Sequence, residues 1–156
     1  MGLVRILVDG YSLIHGWPEI FKGRSPFSME ARDALIAKLR HFSDIKSVPV
    51  SIFFDGAGNK GQVDPLSTRD LEVIFSKKGQ TADSLIERAA YRLKAYGDVL
   101  VVTDDRAERE TVHAFGVLTS DCTSFRIEIE GAEGKLREDL ERKARAGKRF
   151  RNTLFE

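Results

Sequence analysis

The sequence predicts an α/β domain: a three-layer α/β/α sandwich built on a mainly parallel central sheet. Three observations carry that reading. Short apolar runs rich in Val and Ile recur at residues 3–8, 48–54, 71–75 and 99–102, and each reads as a strand buried on both faces. Segments with helical apolar spacing separate most of them, as βαβ units require. The chain has 156 residues, 42% hydrophobic and 31% charged, enough for one domain with a sizeable core.

The elements follow in order. The first strand stops at Asp9-Gly10. Residues 15–26 hold two prolines and two glycines and read as a loop. Ser28 suits an N-cap for a helix to about Phe42, with Ala31, Leu35, Leu39 and Phe42 as its apolar stripe. The second strand ends at Asp55-Gly56, and residues 56–67 read as a polar loop. After the third strand, Thr81 caps a helix to about Tyr96 that turns Leu85, Ile86, Ala89, Ala90 and Leu93 inward. The fourth strand ends in Thr103-Asp104-Asp105. A helix from about Arg106 to Phe115 stops at Gly116, and residues 117–119 form a short last strand. The remainder reads as helix, interrupted around Gly131 and Gly134 and fraying after Gly147. Residues 1–147 are therefore expected to form the domain and 148–156 a basic tail.

Composition narrows the function. No apolar run approaches the ~20 residues of a membrane span, and no secretory signal is visible, so a cytoplasmic protein without a membrane partner is expected. Cys122 is the only cysteine, which excludes an internal disulfide and a cysteine zinc cluster. The net charge of +1 is unevenly spread: between Lys135 and Arg151 stand eight basic residues and three acids, leaving the rest of the chain net acidic. A basic segment beside an acidic body suits nucleic-acid contact next to a metal site. A solvated helix face laced with ion pairs has the same composition.

The acids punctuate the plan. Asp9, Asp55, Asp104 and Asp105 end strands, and Asp83 sits in the first turn of a helix. In a parallel sheet these positions share the carboxyl edge, where open α/β sheets bind ligands. Grouped carboxylates raise one another's pKa values unless a cation relieves them, and hard oxygen donors suit Mg²⁺ or Mn²⁺. Each acid also has a structural use. Asp83 favours a helix N-terminus, Asp105 with Glu108 forms a capping-box pattern, and Asp55-Gly56 is a turn signal. Glu87 lies one turn after Asp83 and either joins the site or forms an exposed ion pair. Residues 56–61 fit G-x-G-x-x-G, but Pro65 and the lack of helical periodicity after them argue against a dinucleotide site. An Asp-nucleophile phosphatase wants a second Asp where Tyr11 stands. His15, His41 and His113 are dispersed and form no ligand spacing. Trp17 and Phe21 either stack on bases or anchor their own loop.

Asp9-Gly10-Tyr11-Ser12-Leu13-Ile14 resembles the D-G-Y-N-x-I opening of the YacP-like branch of NYN-domain proteins, in the PIN-like nuclease superfamily. Phe53-Phe54-Asp55 resembles its V-F-D. Glu72-Val73-Ile74-Phe75-Ser76 with Thr81-Ala82-Asp83 resembles its E-V-x-F-(S/T)…T-A-D, and Thr103-Asp104-Asp105 its T-S-D. Two positions depart: Ser12 replaces Asn, and Asp104 replaces Ser. The resemblance implies a PIN-like α/β/α sandwich and metal-dependent RNA cleavage, with Asp9, Asp55, Asp83 and Asp105 as catalytic acids. Asp9, Asp83, Asp105 and the additional Asp104 are the expected ligands of Mg²⁺ or Mn²⁺. RNA contacts are expected from Ser12, Trp17, Lys60, Lys77, Lys78, Arg106, Arg145, Lys148 and Arg149. The expected function is a metal-dependent endoribonuclease acting on single-stranded RNA. An RNA- or ribosome-binding module without strong cleavage and a structure-specific DNA nuclease are the alternatives.

Overall fold

The computed structural model describes the backbone of residues 2–56, 62–63 and 67–155 and the side chains of 2–56 and 67–149. Strands β1 (Leu3–Asp9), β2 (Val50–Phe54), β3 (Gln62–Val63), β4 (Leu71–Phe75), β5 (Asp98–Val102) and β6 (Leu118–Ser120) form one sheet in the order β3-β4-β2-β1-β5-β6. All pairs are parallel except β3 with β4. The helices are α1 (Gly10–His15), α2 (Pro18–Phe21), α3 (Met29–Lys46), α4 (Ala82–Leu93), α5 (Arg106–Ala114) and α6 (Cys122–Phe155).

Alternation along the strands builds two cores. Ile6, Val8, Ile52, Phe54 and Val73 point to one face, where α1, α3 and α6 contribute Leu13, Ile14, Leu35, Leu39, Phe42, Phe125 and Ile129. Leu7, Phe53, Val99 and Val101 point to the other, under Ile86 and Ala90 of α4 and Val112 of α5. This is the α/β/α sandwich the apolar runs predict. The chain leaves β1 over the first face to reach β2 and crosses the second face through α4 to reach β5. The strand order therefore reverses between β1 and β5, and the crevice at their carboxyl ends is where such sheets bind ligands.

Several local expectations need correction. Gly10 does not simply turn the chain: it opens α1, and a Cβ there would fall on the Phe54 ring. The residue 15–26 loop contains α2, started by Pro18 at its first position, where the missing N–H is harmless. The residue 56–67 loop contains β3. The helix capped by Thr81 ends at Leu93 and continues only as a 3₁₀ turn over Lys94–Tyr96. Most clearly, α6 is one unbroken helix through Gly131, Gly134 and Gly147. Its first half is held by Phe125, Ile129 and Ala132 in the core, by Phe125 edge-on to Phe42, and by the Lys38–Glu133 ion pair. That packing outweighs the intrinsic cost of roughly 1 kcal/mol for each glycine in a helix. No described helix is long and apolar enough to cross a membrane.

Candidate metal centre at the carboxyl edge

Each acid at this edge is positioned by a helix N-terminus. Asp9 N-caps α1: its Oδ1 accepts the Ser12 N–H at 3.3 Å and its Oδ2 accepts the Thr103 hydroxyl at 3.3 Å. Asp105 N-caps α5, accepting the Glu108 N–H at 3.1 Å. Asp55 reaches across from β2, and its Oδ1 accepts the Ala82 N–H at the start of α4 at 2.7 Å. Asp83 stands in the first turn of α4, below the Thr81–Ser84 capping box. The helix dipoles favour negative charge at all these points. Gly56 lets β2 end close to β4: its N–H donates to the Ser76 hydroxyl at 3.0 Å, and a Cβ would collide with the Ser76 carbonyl.

The electrostatics show that these acids share one field. Burial pushes Asp9 up from 3.8 to about 6, against the Ser12 hydrogen bond, with Asp83 and Asp55 adding to the rise. Asp83 is raised by burial first, then by Asp105, Asp55 and Glu87. Glu108 is pushed to about 9, first by burial, then by its hydrogen bond with Glu87 and by the charges of Asp83 and Asp105. Among the described residues, no Lys, Arg or His forms an ion pair with any of these acids.

The edge thus assembles Asp9, Asp55, Asp83 and Asp105, and adds Glu87. The Asp104 carboxylate accepts the Cys122 N–H at 2.9 Å and caps α6. That bond engages one oxygen of Asp104, as the capping bonds of Asp9, Asp55 and Asp105 each engage an oxygen of theirs. Ser12 ties two segments together: its N–H holds Asp9, and its hydroxyl accepts the Asp104 N–H at 3.1 Å. Trp17 is corrected as a base-stacking residue. It is 3% exposed, in the core, with Lys38 and Arg126 over its ring at 5.5 and 5.9 Å. Lys77 and Lys78 are exposed just beyond β4, at the same edge as the acids. Arg106 is exposed at the start of α5 and pairs with Glu110 at 3.2 Å. Arg145, Lys148 and Arg149 are exposed on α6, roughly 35–40 Å along the helix from Cys122 at 1.5 Å per residue. Lys60 lies outside the described residues.

Glu108, expected only as a capping-box partner, lies in the same field as Asp83, Glu87 and Asp105. The Asp105-x-x-Glu108 pattern suggests a capping box, but the Asp105 N–H donates to the Thr103 hydroxyl at 3.1 Å. The signal in the sequence was Glu87 and Glu108, each one turn or less from an expected ligand.

A model of the YacP-like NYN domain matches residues 6–156. The chain belongs to this family. The Bacillus subtilis (strain 168) protein YacP is 31% identical over 132 residues, covering 84% of this chain and 78% of its own. A crystal structure of Rae1 (YacP) from Bacillus subtilis superposes with a TM-score of 0.75 at 28% identity, over 99% of this chain and 88% of the other. The W164L mutant gives 0.74 at 29%, over 90% and 82%. The family is nuclease-like, which supports a nuclease or RNA-related role, and the likeness agrees with a PIN-like α/β fold.

The donor set has the chemistry of a divalent-cation site. It is all carboxylate oxygen, it lacks basic partners among the described residues, and Asp9 and Asp83 are held above the ordinary carboxylate range by burial and by neighbouring acids. Among the described residues no three acids close around one point. Mg²⁺ is commonly held by one or two carboxylates and keeps several waters, so the residues fit.

Proposed function

We propose that this chain is a metal-dependent endoribonuclease that cleaves single-stranded RNA with an activated water. The supporting observation is that Asp9, Asp55, Asp83 and Asp105 all stand at one sheet edge, at the strand-order reversal, with Asp9 held at about 6 chiefly by burial. Asp9, Asp83 and Asp105 would hold Mg²⁺ or Mn²⁺. Such an ion, when bound, lowers the pKa of water and neutralises charge on a phosphodiester. The Ser12 N–H and the Thr103 hydroxyl fix the Asp9 carboxylate in one orientation. Asp55 fixes the start of α4 and hence Asp83. Lys77 and Lys78, exposed at the same edge as the acids, would contact phosphates flanking the cut, and the exposed α6 cations would contact RNA further away.

The product ends test this reading. Attack by external water leaves a 5′-phosphate and a 3′-hydroxyl and does not use the 2′-hydroxyl. Histidine-assisted, metal-free cleavage leaves a 2′,3′-cyclic phosphate. End-labelled RNA is expected to yield 5′-phosphate ends with Mg²⁺ or Mn²⁺ and no cleavage in EDTA. Cyclic-phosphate ends formed in EDTA would reject the mechanism. A second reading, an RNA-binding module without cleavage, is favoured by the failure of three described acids to close around one point. Tight RNA binding with no cleavage under any divalent ion would select it.

A further inference from the structure

We propose that Glu108, backed by Glu87, is an additional ligand of the cation site, extending it from the strand ends into the α4–α5 interface. The proposal rests on the metal-dependent reading above and names residues that reading does not use.

The capping pattern does not account for the place of Glu108. At the third position of α5 it would be expected to reach back to the Asp105 N–H. Thr103 takes that hydrogen instead, through its hydroxyl at 3.1 Å. Nor does it sit in solvent: Glu108 is 5% exposed, the one acid among the described residues buried to that degree. Its Oε1 has no hydrogen-bond partner. The nearby Arg109 guanidinium turns away and donates to the Thr103 carbonyl at 2.8 Å. No described cation pairs with Glu108 or with Glu87. A buried carboxylate is ordinarily paired, protonated or bound to a metal. Here its neighbours are Glu87, Asp83 and Asp105, two of which are proposed ligands already.

The placement explains itself if a cation belongs there. Asp105 and Glu108 lie on the first turn of α5, and Asp83 and Glu87 on consecutive turns of α4. Packing α4 beside α5 therefore brings Glu108 within the field of Asp83 and Glu87 as well as of Asp105. Hard divalent ions take such oxygens in mono- or bidentate fashion and fill remaining positions with water. The unpartnered Oε1 is the oxygen free for that role.

The test is Mn²⁺ titration of the RNA-free protein by calorimetry, with melting temperatures measured with and without Mn²⁺. Glu108→Gln keeps the shape and can still donate to Glu87. It is expected to weaken Mn²⁺ binding at least tenfold and to reduce the Mn²⁺-induced rise in melting temperature, without lowering the metal-free melt. Glu87→Gln is expected to weaken binding less, by about threefold. It decides the question alone if Glu108→Gln does not fold: unchanged affinity then overturns the proposal. If Glu108→Gln binds Mn²⁺ like the wild type while Asp83→Asn does not, the cation site stands and Glu108 is no part of it. If the wild type binds no Mn²⁺, both the site and this extension fall.

Discussion

The same four-residue pattern occurs twice at one edge of this molecule, with opposite electrostatic results. Asp9-Gly10-Tyr11-Ser12 and Asp121-Cys122-Thr123-Ser124 both place an Asp before a helix, with a Ser three residues on. In each, the Asp Oδ1 accepts the Ser N–H, at 3.3 Å in the first and 2.7 Å in the second. Asp121 is exposed, and the hydrogen bonds from Ser124 hold it below the usual carboxylate range. Asp9 is driven the other way, to about 6, by burial and by Asp83 and Asp55. Capping favours ionisation in both places, so capping is not what distinguishes them. The difference comes from the company the carboxylate keeps. At β6 and α6 an acid serves the helix; at β1, α4 and α5, Asp9, Asp83 and Glu108 are held against their own ionisation.

The largest effect should come from emptying the second group. Asp83→Asn is expected to reduce RNA cleavage by more than the roughly 100-fold that removing a mere outer partner brings, with RNA binding retained in a gel shift. Full activity in this variant would break the comparison, since the gathered acids would then be structural like Asp121. The smallest effect concerns the far end of α6. Ending the chain at residue 134 removes the basic segment that lies well away from the acids. It should weaken RNA affinity and flatten its salt dependence by roughly 0.7 in log–log slope for each phosphate no longer neutralised, while the rate at saturating RNA is unchanged. A melt controls for folding, because Leu136 is partly covered.

What the sequence made legible follows the same division. Strand ends were readable because apolar runs stop sharply at Asp9, Asp55 and Thr103, and a parallel sheet then puts those ends on one edge. Ser28, Thr81 and Asp105 were readable as caps because their partners are local. What was not legible turns on distant partners. Asp104 looks like a third strand-end acid, and nothing local shows that it also caps a helix starting 18 residues later. Trp17 lies in a Pro- and Gly-rich stretch, yet α3 and α6 bury it. The glycines of α6 suggest breaks, yet Phe42 and Lys38 of α3 hold its first half. Glu108 matches a common capping pattern, and only the competing hydroxyl of Thr103 shows that it is not used so.

Melting the wild type, Asp9→Asn and Asp121→Asn across pH, without metal, tests the central claim most directly. Asp9 has a folded pKa of about 6 against 3.8 when unfolded, so the fold binds its proton more tightly. Its contribution is most favourable below about pH 4 and declines as pH rises to about 6, a change on the order of 3 kcal/mol. Asp121 has the opposite sign: its stabilisation is present above the ordinary carboxylate pKa and disappears on acidification through its lowered value. Asn caps a helix about as well as Asp; at residue 9 its amide NH2 also replaces the oxygen that accepts the Thr103 hydroxyl, so the gain from removing the charge is reduced by one lost hydrogen bond. Near neutral pH, Asp9→Asn should raise the melting temperature by about 5 °C and flatten the decline between pH 4 and 6. Asp121→Asn should lower it slightly. If Asp9→Asn instead melts lower than the wild type at neutral pH, the acids at this edge are not held against their own ionisation, and the account of the site is wrong.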